Sequence, residues 1–183
     1  MSRTSQADWL AAAFELLSSG GIDALKVEPL AKHLGVTKGS FYHHFEDRRA
    51  LHLAVLAAWE NAGTEAIIVD VDRDQSEPAA RLAALVDAAM VADPTADELE
   101  SAIRAWAGAD PEVAAAVERV DERRLAYVTD LLVDAGFSRA VARRRARLLY
   151  RAMIGAFFWQ AAGGPHTTPT ERRELVALLL APG

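Results

Sequence analysis

The sequence predicts an all-α protein of about nine helices, on three observations. Hydrophobic residues make up 51% of the 183, with Ala and Leu abundant. Only 11 Gly and 7 Pro interrupt them, too few for a turn-rich sheet protein. Apolar residues also recur at helical spacing along most of the chain. The one strand-like alternation, VDVD at 69–72, is isolated, and a lone strand has nothing to pair with.

Thr4 or Ser5 can cap a first helix running to about Ser19, with Trp9, Leu10, Ala13, Phe14 and Leu17 on one face. Gly20-Gly21 ends it. A second helix opens near Glu28, where Pro29 suits the first turn and the Glu28 carboxylate complements the positive helix end. Leu30, Ala31 and Leu34 form its inner face. A third spans roughly Thr37 to Phe45, anchored by Phe41 and Phe45 one turn apart. Glu46-Asp47 starts a longer helix with Leu51, Val55, Leu56 and Trp59 at helical spacing. The stretch from Ile67 to Pro78 loses that period and is expected to be a linker. Helical patterns resume at about 78–92, 95–107, 111–135, 138–162 and 169–181. Asp93-Pro94, Asp110-Pro111, Gly136 and Gly163-Gly164-Pro165 punctuate them.

Composition excludes several functions. There is no Cys, so disulfides, thiolate metal sites and cysteine nucleophiles are ruled out. The N-terminus lacks a basic segment followed by an apolar run, so no secretory signal is expected. The most apolar helix, Ala152 to Gly164, contains Gln160 and is too short to span a bilayer. A cytoplasmic protein with no membrane partner is expected. The net charge of -6 argues at first against a nucleic-acid partner. Residues 1–52, however, carry six basic side chains (Arg3, Lys26, Lys32, Lys38, Arg48, Arg49) against six acidic ones, and four of the five His. A neutral module can still set cations and helix ends on phosphates, although non-specific binding should be weak.

Residues 31–45, AKHLGVTKGSFYHHF, are the most informative stretch. A short helix ends at Gly35-Val36 and a second opens on Thr37, displaying Lys38, Gly39, Ser40, Tyr42, His43 and His44. A turn of this length between apolar anchors is how a helix-turn-helix presents its second helix to the DNA major groove. The adjacent His43 and His44 do not suggest a metal, because neighbours on a helix project about 100° apart.

Positions 20–51, GGIDALKVEPLAKHLGVTKGSFYHHFEDRRAL, resemble the TetR family of bacterial transcriptional regulators, and LGVTKGSFYHHF followed by Arg48 is the specific part. The resemblance implies a helix-turn-helix DNA-binding domain at 1–50, a connecting helix at 48–65, and a helical ligand-binding and dimerisation domain at 51–183. Carried over position by position, Thr37 would cap helix three and bond a phosphate. Lys38 would reach a guanine edge or a phosphate, and Gly39 would allow close backbone approach. Ser40 and Tyr42 are candidates for base-edge or thymine-methyl contact, with the Tyr42 hydroxyl alternatively on phosphate. His43, His44 and Arg48 would take phosphates. The family often has a hydroxyl at the entry to helix two; here Lys26 and Val27 stand there. Lys26 could substitute by charge, while Glu28 lies close enough to repel the DNA backbone.

The resemblance also implies a homodimer through helices 138–162 and 169–181, a double-stranded DNA operator of roughly palindromic sequence, and a small-molecule effector. An apolar stripe of Ala142, Ala146, Leu149, Met153, Ala156 or Phe157, and Gln160 is the expected association face, joined by Leu175, Val176, Leu178, Leu179 and Leu180. Core packing within one chain is the alternative reading of that stripe. Met90, Ile103, Trp106, Tyr127 and Leu131 are the candidate ligand residues, although Trp106 and Tyr127 could equally be core aromatics. An apolar or aromatic effector would suit them, and no cofactor or metal is expected. A ligand-released repressor is thus the leading function. A ligand-independent regulator or an activator is the runner-up. A helical enzyme is last, because no nucleophile triad, carboxylate pair or phosphate-cradling loop is present.

Overall fold

The structure, a computed structural model, describes residues 4–74, 77–90 and 94–182. Arg3, Asp93 and the expected end of the 78–92 helix fall outside the described residues. Among those described there are ten α-helices and no strand. They are α1 (Gln6–Gly20), α2 (Val27–His33), α3 (Lys38–Phe41), α4 (Arg48–Glu60), α5 (Ala66–Asp74), α6 (Pro78–Met90), α7 (Pro94–Ala107), α8 (Pro111–Asp134), α9 (Arg139–Ala161) and α10 (Pro169–Leu180). No helix among the described residues is long and apolar enough to cross a membrane.

The helices fall into two compact units. The first combines Met1–Glu60 with Thr95–Val117. Its α1 starts on a reciprocal cap: Ser5 Oγ accepts from the Asp8 N–H, while Asp8 Oδ2 accepts from the Ser5 N–H at 2.7 Å. Gly21, at φ 64, ends the helix. A 3-10 turn at Ile22–Ala24 leads to α2, and Asp47 Oδ1 accepts from the Ala50 N–H at 2.8 Å to start α4. Trp9, Leu17, Leu25, Leu30, Phe41, Leu51 and Val55 are fully buried in this unit, as is Ile103 of α7. Burial of such side chains contributes ~1.5–3 kcal/mol each and decides how these short helices pack.

The second unit combines Asn61–Pro94 with Glu118–Gly183. It opens on a π turn, Asn61–Glu65, which Arg124 holds by donating from Nε to Thr64 Oγ1 at 2.9 Å and from Nη2 to the Gly63 carbonyl at 3.2 Å. The expected linker at 67–78 is instead mostly helix α5, with Gln75 and Ser76 outside the described residues. Ile68 and Val71, three apart, are buried on one face, while Asp70 and Asp72 stay in water. The Val-Asp alternation is therefore the boundary of a helical face, read over too few residues to reveal its period.

A second correction concerns α9. Ala142, Ala146, Leu149 and Met153, expected to face a partner, are buried in this unit's own core with Leu85, Val86, Leu132 and Leu179. Ala156, Phe157, Leu175, Val176 and Leu180 pack against the same core. Gln160 does not belong to an apolar face at all; its Oε1 lies 3.0 Å from His166 Nδ1. On α9 and α10 the large apolar side chains left in water are Leu148, Phe158, Trp159 and Leu178, and Val69 of α5 is exposed as well.

Candidate nucleic-acid interface

Two local devices aim α3. Gly35, at φ 66, lets the chain leave α2 in a left-handed conformation that a side chain would strain. The Val36 N–H then returns to the Ala31 carbonyl at 2.9 Å and closes the helix end. Thr37 follows in an extended conformation (ψ 151) and α3 begins. Beneath α3, the Phe41 ring meets Trp9 edge-on at 5.5 Å and lies 5.3 Å from the Phe45 ring. With both phenylalanines buried, Lys38, Gly39, Tyr42 and His43 face solvent. Regular α-helix stops at Phe41, short of the expected Phe45, and continues as a turn in which the His44 N–H reaches the Phe41 carbonyl at 2.9 Å.

On the outward face, Thr37 occupies the cap position, but its hydroxyl makes no capping hydrogen bond, contrary to expectation. Thr37 as a whole is exposed. Around Gly39 a β-carbon would meet only Thr37 Oγ1 at 3.8 Å, so nothing inside the protein demands glycine there. Tyr42 is 57% exposed, and its ring stands edge-on to Phe41 at 5.2 Å, which fixes its direction. Ser40 and His44 are half-buried, His44 leaning on Trp9 at 6.4 Å.

The cations of this face have partners. Lys38 Nζ donates to Glu28 Oε1 at 2.8 Å. That hydrogen bond, followed by the lysine's charge, holds the Glu28 carboxyl below its usual range, and the same pair raises Lys38. Lys26 reaches Asp23 at 3.9 Å. Arg48 Nε donates to His52 Nε2 at 3.1 Å, which requires that nitrogen to be unprotonated. Burial first, and the Arg48 charge second, push His52 below its ordinary pKa. Glu28, expected only as a source of repulsion, is here the partner of Lys38, and His52, not among the expected site residues, is the partner of Arg48. The i, i+4 spacing of Arg48 and His52 is a usable signal. Glu28 and Lys38, ten residues apart across a turn, offer none.

Of the candidate ligand residues, Met90, Tyr127 and Leu131 pack in the core of the second unit, where the Tyr127 hydroxyl donates to Asp72 Oδ1 at 2.6 Å. Ile103 and Trp106 belong to the first unit. There Trp106, edge-on to His52 at 4.8 Å, lines a cleft of ≈ 420 Å³ with Arg48, Arg49, Leu53 and Glu112.

Residues 10–55 match the family model described as bacterial regulatory proteins, tetR family. A transcriptional regulator from Rhodococcus sp. RHA1 superposes with a TM-score of 0.76 at 21% identity, over 97% of this chain and 94% of that one. A TetR transcriptional regulator from Legionella pneumophila gives 0.79 at 15% identity, over 98% and 96%. The regulator FadR from Bacillus subtilis, solved in complex with stearoyl-CoA, gives 0.74 at 14% identity, over 97% and 98%. These likenesses establish a shared fold. No curated protein sequence matches the chain.

Proposed function

We propose, from the premise that this chain is a transcriptional regulator with a tetR-family head, that it is a repressor gripping a roughly palindromic operator as a homodimer. The observation that carries this is the two-sided α3: Phe41 and Phe45 are buried behind it, and Lys38, Tyr42 and His43 are exposed before it. Thr37, His43, His44, Lys26 and Arg48 would set the register on phosphates. Ser40 and Tyr42 would supply base contacts worth ~1–3 kcal/mol each where well formed, and Lys38 would reach a guanine edge or a phosphate. Gly39 would let the backbone close on the duplex. The acidic remainder of the chain would keep binding away from operators weak, leaving the protein free in the cytoplasm.

Dimerisation through α9 and α10 is supported by Leu148, Phe158, Trp159 and Leu178, large apolar side chains left in water on those two helices. A twofold dimer would carry two reading helices to successive major grooves. An apolar or aromatic effector is supported by the aromatic character of Trp106 beside its cleft in the first unit, and separately by the apolar character of Met90, Tyr127 and Leu131 in the second. That a fold neighbour was solved with stearoyl-CoA is in keeping with an apolar ligand. A second reading, regulation without a ligand, is favoured by the commitment of the Tyr127 hydroxyl to Asp72 and the close packing of Leu131.

Selection of bound duplexes from a randomised pool tests the proposal. One enriched motif with twofold symmetry is expected, and the absence of any sequence preference at low salt would sink it. Thermal shift against small-molecule libraries separates the two readings, since a ligand specific for the native state raises the melting temperature.

A further inference from the structure

We propose that Glu28 is a built-in competitor for Lys38, an intramolecular stand-in for a DNA phosphate that sets the affinity and salt dependence of the head. This rests on the DNA-binding reading above. Glu28 lies in the first turn of α2 and Lys38 is the first residue of α3, so the pair bridges the two helices of the helix-turn-helix. Their 2.8 Å bond is made in water, with the side chains 54% and 76% exposed. Neither is needed by the core, and Glu28 is not a helix cap, since Lys26 holds that position. What the pair does is present an anionic oxygen to the one ammonium at the start of the reading helix. A phosphate oxygen offers that ammonium the same chemistry.

Docking on a duplex therefore has a cost that a lone lysine would not bear. Lys38 must exchange its carboxylate partner for the nucleic acid, or share itself between two anions. In either case the Glu28 charge stays beside the polyanion. The head is neutral in sequence, six cations against six anions over residues 1–52, so one acid weighs heavily in its balance. An exposed pair of this kind is worth ~0.2–1 kcal/mol, which sets the scale at about a 1.4- to fivefold change in affinity. It also lowers the number of counterions that Lys38 can displace, so the salt slope of the wild type should be shallower by up to ~0.9, the share of one phosphate.

The test uses the full chain and a duplex enriched by the wild type from a randomised pool. Glu28→Gln, Lys38→Ala and the double variant are titrated over a range of salt, with melting temperatures checking the fold. Glu28→Ala serves as a second variant if Glu28→Gln is unstable. The expected result is about 1.4- to fivefold tighter binding and a steeper salt slope for Glu28→Gln alone. In the Lys38→Ala background the same change should give little or nothing. Equal gains in both backgrounds would overturn the proposal, because Glu28 would then act only by through-space repulsion. Weaker binding by Glu28→Gln would overturn it too, by making Glu28 a positioning residue for Lys38. If the wild type itself prefers no duplex, the DNA-binding reading fails and this inference goes with it.

Discussion

The indole nitrogen of Trp59, on α4, donates to Glu100 Oε2 of α7 at 3.0 Å, while Arg104 holds the other oxygen of that carboxylate at 2.7 Å. The pair is nearly sealed from water, with the Arg104 and Glu100 side chains 12% and 8% exposed. A buried ion pair of this kind tolerates loss of one member badly, because the other is left charged in a poor solvent. Glu100→Ala should therefore destabilise the protein by ~3–5 kcal/mol, while Trp59→Phe, which deletes the donor to a charged acceptor and part of a buried ring, should cost at least ~1.5–3 kcal/mol. Urea unfolding of the two variants checks this. Equal, small losses would mean that water replaces the network freely.

Substitutions on the two sides of α3 should separate folding from binding. Phe41 is fully buried, so Phe41→Ala should lose ~3–5 kcal/mol of stability. Tyr42→Ala and Lys38→Ala should leave the melting temperature nearly unchanged and weaken binding to the selected duplex. Comparable unfolding by all three would show that Tyr42 and Lys38 carry packing rather than recognition.

His52 gives the head a pH dependence with a definite sign. Its folded pKa lies below the ordinary 6.5, through burial first and the Arg48 charge second. A hydrogen bond to the Leu25 backbone and the charges of Asp110 and Asp47 oppose the shift without reversing it. As pH falls through the unfolded value, the unfolded chain takes up the proton first, so stability drops. The contribution is present above about pH 6.5 and is lost in the acid range below it. Protonation also removes the acceptor that Arg48 Nε uses. His52→Gln should flatten this step in a plot of unfolding free energy against pH. An unchanged curve would assign the acid sensitivity to other groups.

The exposed apolar side chains of α9 and α10 predict the outcome of charge insertion. Trp159 and Leu178 are 64% and 73% exposed, so replacing either with Glu leaves the core of the unit untouched. Sedimentation should show Trp159→Glu and Leu178→Glu shifted towards monomer, with operator affinity falling in step. Ala146→Glu, by contrast, should unfold the unit, because Ala146 is fully buried in its core. Dimers that survive both exposed substitutions would move the interface elsewhere.

Several features were legible in the residues themselves because they are local. The cap at the start of α1, the glycine exit from α2 and the Asp110-Pro111 start of α8 each depend on chemistry within a few positions. The spacing of Phe41 and Phe45, one turn apart, likewise marks the buried side of α3. The 67–78 stretch carries no such local signal, because Ile68 and Val71 span less than one turn. Over so short a run, helix and strand periods cannot be told apart.

The sequence by itself determined an all-helical chain and the buried side of α3, because caps, breakers and period act between near neighbours. Only the tertiary structure decided which apolar face of α9 is core and which is left to water. In a helix with apolar residues on several sides, that choice belongs to whatever packs against it. Only the tertiary structure brought Glu28 to Lys38 and Trp59 to Glu100, since no spacing along the chain records a contact made across a turn or between separate helices.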